Sequence, residues 1–561
     1  MSISRRSFIA ASSIAAANLP IGASAAPRQA DGRSGGLIDA LRPPDMVAAR
    51  TSAGVMLPLV RGGGTWTASG LAVHGEVGHA AGGARLPITV ESTRDDLTYL
   101  KLRWQWRIGD DPLILGDAWE RGYGDLRWQG LVSERVLPWY FALRHAGRIT
   151  CFGVETQPSA FCFWQCDADG ISLWLDVRNG GEPAQLSGRH LAACTVVMMD
   201  GALARPVEAQ LQAFCSNLCP SPRLPKGPIV GSNDWNYAYG KNTAAGILRD
   251  ARLMADLAPS GYRPFVVIDD GWQDPKRFPD LAGLAGQIRS AGARPGIWIR
   301  PLRAAPGSKA TRLPDKRFGS RTQELVSAYD PSTRDGLDAV VQSVRDARRQ
   351  GYEFIKHDFS TYDMLGQWGR EMGPQPALPG WHFADRSRTT AEIVFDVYRS
   401  LRSEAGEDCI MLGCNTFGHL GAGIFESQRI GDDTSGQDWE RTRRYGVNSL
   451  SFRIAQHRTF FHADPDIVAI TQGIPWAMTR QWMDVVARSG TSLFIAPQPE
   501  AITPEVKVAV RAAMAIAVRA TSGYPTDSMN ATTPQDWAFS GPDRMQAHYD
   551  WSGPNGADPF A

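Results

Sequence analysis

A lysine and an aspartate, Lys356 and Asp358, end an apolar, strand-like segment over residues 354–358. Because side chains alternate along a strand, both point to the same face. The cation keeps the neighbouring carboxylate ionised, as a covalent nucleophile must be. A second acid, Asp433, ends another strand-like segment over residues 428–433. The two acids predict a nucleophile and a proton donor on one site.

This carboxylate pair indicates cleavage of a glycosidic bond. Two carboxyl groups about 5–5.5 Å apart act by double displacement through a covalent glycosyl-enzyme, with retention of configuration. The donor Asp433 needs a raised pKa to hold its proton, and the negative charge of Asp358 is expected to raise it. Asp432 is the alternative donor, since adjacent strand residues face opposite ways and only one of the two acids can face a substrate.

A third strand-like segment, residues 264–273, ends in Asp269, Asp270, Gly271 and Trp272. The acids could accept hydrogen bonds from sugar hydroxyls, and the indole offers a flat apolar wall. The simpler alternative is that Asp269 caps a loop and Trp272 fills space at the strand ends. Three strands that end in such residues favour a site.

The elements that must position these residues follow a strand-then-helix pattern. The expected strands lie near residues 228–235, 264–270, 295–301, 353–359, 408–415, 428–433, 459–464 and 491–497. Helical patterns cover residues 244–257, 334–350, 391–404 and 505–520. Eight such units predict a catalytic (β/α)8 TIM barrel over residues 228–520, with its chemistry at the carboxyl ends of the strands.

The rest of the chain predicts a multidomain α/β and β protein. Residues 26–220 read as short alternating strands with turn residues between them, which indicates an N-terminal antiparallel β-sandwich. Four prolines in residues 220–228 mark a linker. Residues 521–561 remain as a short C-terminal β segment.

Composition excludes several classes of partner. The 561 residues are 43% hydrophobic and 21% charged, with a formal net charge of +1. That charge provides no field for nucleic acid or anionic lipid, so no nucleic-acid partner is expected. No apolar segment is long enough for a membrane span. The eighteen Trp suit a carbohydrate substrate but individually are more typical of core packing.

The N-terminus reads as an export signal. Arg5 and Arg6 form a twin-arginine pattern, and Ala23-Ser24-Ala25 matches a cleavage site, so residues 1–25 are expected to direct the protein to the periplasm. The eight Cys lack redox or zinc spacing and are expected to be isolated buried thiols, although the periplasm would permit bridges. The sequence does not indicate an oligomeric state.

Three motifs carry a family resemblance. Asp269-Asp270-Gly271-Trp272, Lys356-x-Asp358 and Arg429-x-x-x-Asp433 resemble the α-galactosidases of glycoside hydrolase families 27 and 36, over residues 228–497. The resemblance implies that Asp358 is the nucleophile and that Asp433, four residues after Arg429, is the acid/base rather than Asp432. It implies no metal and no cofactor. The substrate-binding residues expected in all are Asp269, Asp270, Trp272, Trp298, Lys356, Asn415, Arg429, Asp432 and Trp235.

Some positions depart from the family pattern. His357 stands where an apolar residue is usual and should face the helix layer. Arg300 stands where a small residue is usual, and it either forms a salt bridge at the barrel mouth or reaches an unusual substrate. Residues 545–551 resemble the opening strand of the β-domain that usually follows the barrel, which would make that domain reduced or the polypeptide shortened.

Other functions stay open on the sequence. The nearest is another glycosidase or transglycosidase of the same clan: an α-N-acetylgalactosaminidase, a β-L-arabinopyranosidase or a raffinose-synthase-like galactosyl transferase. A metallohydrolase could use Asp269, Asp358, Asp433 and His462, but the chain lacks H-x-H after the first strand and H-E-x-x-H. A non-catalytic carbohydrate-binding protein would not need the paired acids.

Overall fold

A computed structural model describes residues 41–80, 83–202, 205–541 and 544–553. The expected export signal, residues 1–25, lies outside the described residues. The sheets and the barrel described below belong to one compact unit.

Two antiparallel sheets precede the barrel in the described part of the chain. In spatial order, the first contains Leu137–Pro138, Phe161–Asp167, Gly170–Asp176, Leu97–Gln105, Met46–Thr51 and Met56–Pro58. The second contains Val60–Gly62, Thr65–Ala68, Leu71–Gly75, Gly83–Ser92, His190–Ala202, Arg148–Val154, Tyr140–His145 and Leu113–Gly116, with Gly78–Ala80 paired to Gly83–Ser92. A two-residue ladder joins Arg178–Asn179 to Glu182–Pro183.

Aromatic side chains fill the space between the two sheets. Trp164 of the first sheet lies 5.6 Å from Phe141 and 6.2 Å from Phe152 of the second, between ring centroids. All three side chains are buried. Burial of such large apolar surfaces between facing sheets is what holds a β-sandwich together.

The second half of the described chain is a curled parallel sheet with a TIM-barrel-like arrangement. Its strands are Val230–Asn233, Phe265–Ile268, Arg294–Ile299, Phe354–His357, Ile410–Gly413, Ser427–Arg429, His462–Asp464 with Ile467–Ile470, and Leu493–Pro497. Each pairs in parallel with the next, and the last also pairs with the first. Alternate side chains such as Phe265, Phe354 and Phe494 pack together inside the barrel.

The seventh strand position is interrupted. His462–Asp464 pairs with the sixth strand and Ile467–Ile470 pairs with the eighth, with only Pro465 and Asp466 between them. Asp466 has φ +77°, in the left-handed region. The sequence predicted one unbroken strand ending at Asp464. It also placed the end of the sixth strand at Asp433, whereas the strand ends at Arg429.

Helices cover the outside of the barrel and fill its connections. The α-helices are Val207–Leu218, Trp235–Ala238, Ala244–Leu257, Leu281–Ser290, Arg334–Arg349, Ser360–Leu365, Thr390–Ala405, Gly418–Gly421, Trp439–Arg441, Asn448–Arg453, Trp476–Ser489 and Pro504–Ala517. Short 3-10 turns lie at Asp315–Phe318, Gly369–Glu371, Ile454–Gln456 and Pro499–Ala501, and Thr442–Val447 is a π-helix. Among the described residues, no helix has the length and apolar character needed to cross a bilayer.

The C-terminal residues form a small antiparallel sheet of Ser522–Pro525, Asp536–Ser540 and Met545–His548. Residues 545–548 are therefore its third strand, and the expectation that they open a β-domain was wrong. All eight Cys are buried and free.

Candidate active site

Asp358 lies directly after the fourth barrel strand with a fixed orientation. Its Oδ1 accepts hydrogen bonds from the backbone N–H groups of Phe359 (2.8 Å) and Asn415 (3.1 Å). Its Oδ2 accepts one from Trp298 Nε1 (3.0 Å). Phe359 adopts φ +63°, a conformation that a residue with a side chain holds only where its surroundings enforce it. The turn thereby holds the carboxylate, which is only partly buried, at the strand end.

Burial and charge act on the pKa of Asp358 in opposite directions. Burial raises it, but Lys356, Arg121 and the hydrogen bond from Trp298 outweigh burial and the repulsion by Asp433. The net effect lowers the pKa of Asp358 below its usual value. This carboxylate is therefore ionised at neutral pH, which a nucleophile requires.

Lys356 contacts Asp269 rather than Asp358. Its Nζ donates to Asp269 Oδ2 at 2.7 Å, and Asn233 Nδ2 donates to the same oxygen at 2.7 Å. The backbone N–H of Asp269 donates to Asp234, a residue at the end of the first strand. Burial and the neighbouring Asp269 raise the pKa of Asp234 to about 7. Lys356 thus holds Asp269 directly and acts on Asp358 through space.

The predicted aromatic residues lie on adjacent strand ends. Trp272 Nε1 donates to the backbone oxygen of Trp298 (2.8 Å), which links the second and third strands. Trp298 is buried and Trp272 is half-buried. Asp270 is partly buried and accepts from the backbone N–H of Gly271 and from Gln273 Nε2. Trp235 is half-buried at the start of the short helix after the first strand.

Asp433 lies four residues beyond the sixth strand and is held by Arg429. Arg429 Nη2 lies 2.7 Å from Asp433 Oδ1 and 2.7 Å from Asp466 Oδ2, and Arg429 itself is buried. Asp466 also accepts from the backbone N–H and the hydroxyl of Thr434. The interruption of the seventh strand therefore supplies the carboxylate that fixes the loop carrying Asp433.

The expected raised pKa of Asp433 was wrong for the free protein. Burial raises it, but Arg429, Arg121, Lys356 and Arg441 outweigh burial, and the pKa of Asp433 falls to about 2. The charge of Asp358 alone predicts a raised pKa for Asp433, but the four cations reverse it, and Arg121 and Arg441 lie outside the recognised motifs.

Asp432 forms ion pairs with two arginines that also lie near Asp433. Arg121 Nη2 lies 3.1 Å from Asp432 Oδ1, and Arg441 Nη2 lies 3.5 Å from Oδ2. Since the sixth strand ends at Arg429, the two acids lie in a loop, and strand alternation does not decide which one faces the opening. Exposure separates them, because the side chain of Asp433 is 36% exposed and that of Asp432 is 9% exposed.

The sequence analysis missed residues from the β-sandwich. Residues 117–123 follow a sandwich strand and reach the barrel mouth, where the backbone of Gly122 bonds with Ile430 and Asp432. Glu120, fully buried, accepts from Asn415 Nδ2 and from the backbone N–H of Gly369. The run of charged, aromatic and glycine residues over 119–124 was the available signal.

Asn415, a predicted sugar contact, is committed to protein groups in this structure. Its side chain is fully buried, donates to Glu120 and accepts from the backbone N–H of Tyr362 (3.2 Å). It reaches the site through its backbone N–H, which donates to Asp358.

The two departures from the family pattern have structural partners. His357 faces Tyr398 and Phe425 of the surrounding layer, and burial lowers its pKa to about 4. Arg300 forms a two-pronged salt bridge with buried Asp363, at 2.6 and 2.9 Å. Of the two roles expected for Arg300, a salt bridge or contact with an unusual substrate, the structure shows the salt bridge.

In the part of the chain that the structure describes, no three His, Cys, Asp or Glu side chains are grouped to hold a metal ion. His462 is buried, and its pKa is lowered by burial to about 3.

Comparison with protein-family models gives no match. Solved structures are similar. TtGalA, an α-galactosidase from Thermus thermophilus in complex with p-nitrophenyl α-D-galactopyranoside, has a TM-score of 0.58 at 19% identity over 85% of this chain and 97% of that chain. AgaA, a family 36 α-galactosidase from Geobacillus stearothermophilus, has a TM-score of 0.57 at 15% identity over 90% of this chain and 80% of that chain. The galactosidase domain of an α-galactosidase–sucrose kinase has a TM-score of 0.57 at 16% identity over 88% of this chain and 77% of that chain. In fold, this chain is thus similar to the family 36 α-galactosidases.

Proposed function

We propose that this protein is a retaining glycoside hydrolase that releases terminal α-galactosyl residues from oligo- or polysaccharides. One observation carries the proposal: Asp358 is a partly exposed carboxylate whose pKa is lowered and whose position is fixed by three hydrogen bonds. A second partly exposed acid, Asp433, acts on it electrostatically. The similar fold of enzymes named as α-galactosidases supports the choice of sugar.

In the first step, Asp358 attacks the anomeric carbon. Oδ2, which accepts one hydrogen bond against two at Oδ1, forms the new C–O bond. Asp433 gives its proton to the glycosidic oxygen as that bond breaks, and the alcohol departs. In the second step, Asp433 removes a proton from water, the water oxygen bonds to the anomeric carbon, and Asp358 leaves as a carboxylate.

The sugar is bound by the polar strand ends around this pair. Lys356, Asp269 and Asp270 take the hydroxyls on the far side of the ring, and Trp272 provides the wall. The similar solved structures of TtGalA are complexes with p-nitrophenyl α-D-galactopyranoside and with stachyose, which supports an α-galactoside as the substrate here. The twin-arginine pattern of residues 1–25 supports a periplasmic location.

Related clan activities are the second candidates, and a substrate panel separates them. We expect the aryl α-galactoside to be hydrolysed with a higher kcat/KM than its N-acetyl analogue or an aryl β-L-arabinoside. Preference for either of the other two would replace α-galactosidase by that activity. Formation of galactosyl oligosaccharides without net hydrolysis would indicate a transferase.

Replacement of the two acids assigns their roles. Asp358→Asn should lower kcat at least about 10⁴-fold while sugar binding persists, because the nucleophile is lost and the shape is kept. With Asp358→Gly, azide should restore turnover and yield the β-galactosyl azide, since azide attacks from the vacated face.

Asp433→Gly is the matched variant. With an activated aryl galactoside, azide should yield the α-galactosyl azide, because here it replaces water on the covalent intermediate. The same anomer from both variants would contradict the assignment, and so would near-normal rates with Asp358→Asn.

A further inference from the structure

Three arginines surround one carboxylate beside Asp433. Arg121, Arg370 and Arg441, here termed the arginine cluster, lie 3.1, 3.9 and 3.5 Å from the oxygens of Asp432. Asp433 is a second carboxylate beside the cluster, 3.7 Å from Arg121. Three guanidiniums thus face two carboxylates, which leaves one positive charge in excess. The excess lies at the surface, because the Arg370 and Arg441 side chains are 52% and 42% exposed.

Buried groups hold the cluster in place. The side chains of Arg121 and Asp432 are 5% and 9% exposed. Arg121 lies over the rings of Tyr123 (5.8 Å) and Trp368 (5.9 Å), and Arg370 lies over Tyr123 (5.5 Å). Guanidiniums oriented by rings and by a buried acid present their remaining N–H groups with little loss of freedom on binding.

The arginine cluster contacts Asp433 as well as Asp432. Arg121 Nη1 is 3.7 Å from Asp433 Oδ1, and Arg441 Nε donates to the backbone oxygen of Asp433 at 2.7 Å. Arg429 and Asp466 hold Asp433 from the barrel side. If Asp433 is the proton donor, it contacts the glycosidic oxygen. The arginines next to Asp433 then face the leaving group of the substrate.

We infer that the arginine cluster binds an anionic group, a carboxylate or a sulfate ester, on the leaving-group side of the substrate. The inference rests on the proposed function and specifies its substrate class as α-galactosides of acidic saccharides or other acidic alcohols. Arginine forks match both anions through paired, charge-assisted hydrogen bonds. The cations that lower the pKa of Asp433 include Arg121 and Arg441, so an anion bound there would also ease its protonation.

A pair of substrates that differ in charge tests the inference. Phenyl α-galactosides with a para-sulfonate or a para-sulfonamide are close in shape, and a para-carboxylate adds the planar anion. We expect kcat/KM for either anionic substrate to exceed that for the sulfonamide about tenfold at low salt. The advantage should shrink as salt is added, since the exposed cations are screened. The ratio between sulfonate and carboxylate tells which anion fits better.

Arg370→Gln removes the most exposed cation and should reduce the anionic-to-neutral ratio about fivefold. Arg399→Gln is the matched control, because Arg399 is an exposed arginine that lies over Phe395 on the helix layer. It should leave the ratio unchanged. Melting temperatures of both variants report whether folding is preserved.

Equal kcat/KM for the charged and neutral substrates would overturn the inference while the proposed function stands. A ratio that is unchanged in Arg370→Gln, or that falls equally in Arg399→Gln, would overturn it too. Failure to hydrolyse any of the three galactosides would instead contradict the proposed function.

Discussion

At the scale of single residues, the charge of Asp433 is the main departure from expectation. Its pKa of about 2 in the free protein means that the protonated form needed for the first step is a minor species at neutral pH. kcat/KM reports the free enzyme, so for a poor leaving group it should fall as pH rises above that pKa. The leaving group of an activated aryl galactoside departs without a proton from Asp433, so kcat/KM for such a substrate should fall much less with pH.

Arg121→Gln should move the fall in kcat/KM to higher pH. Loss of a nearby cation disfavours the ionised carboxylate, so the pKa of Asp433 rises and the protonated form persists to higher pH. Arg121→Lys keeps the charge and is the matched control. The measurement is the pH profile of kcat/KM with an alkyl α-galactoside. A profile that moves equally in both variants would exclude charge as the cause.

Residue motifs predict which acids could act, but they do not predict the electrostatic surroundings of those acids. Lys356, Asp358, Arg429 and Asp433 have local spacings that a sequence displays directly. Arg121 is distant in the chain, and its ion pairs exist only because the sandwich packs on the barrel mouth. A pKa depends on all neighbouring charges, so it could not be predicted from motifs alone.

At the scale of elements, residues 117–123 join the two halves of the molecule. Glu120 is fully buried and bonds to Asn415, which in turn donates to Asp358. A substitution of Glu120 should therefore disturb the position of Asp358, the proposed nucleophile, through Asn415. Glu120 is a positioning residue, since it acts through Asn415.

Glu120→Gln should lower kcat about tenfold or more with little change in KM. The new amide places a donor against the donor of Asn415 or of Gly369, which disturbs the support of Asp358. Glu426→Gln is the matched control, because Glu426 is a buried glutamate bonded to Arg402 and Arg223 away from the mouth. It should lower the melting temperature and leave kcat intact. A kcat loss of equal size in both variants would count against the positioning role.

Most elements could be predicted from the sequence, and the exceptions have local causes. The helix expected at 244–257 has those bounds, and the first five strands agree within a few residues. The seventh strand breaks at Pro465 and Asp466, where proline removes a backbone donor and Asp466 turns left-handed to reach Arg429. That contact is long-range, so hydrophobic patterns do not reveal it.

At the scale of the whole molecule, four buried histidines link stability to pH. Burial lowers the pKa of His357 to about 4 and those of His419 and His462 to about 3, and it also lowers that of His457. The unfolded chain binds these protons near pH 6.5. A folded-state pKa below the unfolded value means that the stabilisation is complete above about pH 6.5 and is lost as pH falls toward 4.

The melting temperature should therefore fall steadily as pH falls from about 6.5 to about 5. As pH falls below the unfolded pKa, each such histidine lowers the free energy of unfolding by up to about 1.4 kcal/mol per pH unit. His357→Gln should reduce the slope. His190→Gln, at an exposed position with 74% side-chain exposure, is the control and should not. Equal slopes in the wild type and His357→Gln would refute the linkage.

The bridge between Gly122 and Gly431 joins residues that are far apart in the chain. Closing so long a loop costs chain entropy before the contact stabilises the fold, so we expect this bridge to form late in folding. The charges around Asp433 are incomplete until that contact closes. A half-folded chain would thus hold both acids without Arg121 beside Asp433 and without the contact of Glu120 with Asn415 that supports Asp358. During refolding, we therefore expect activity to return later than secondary structure.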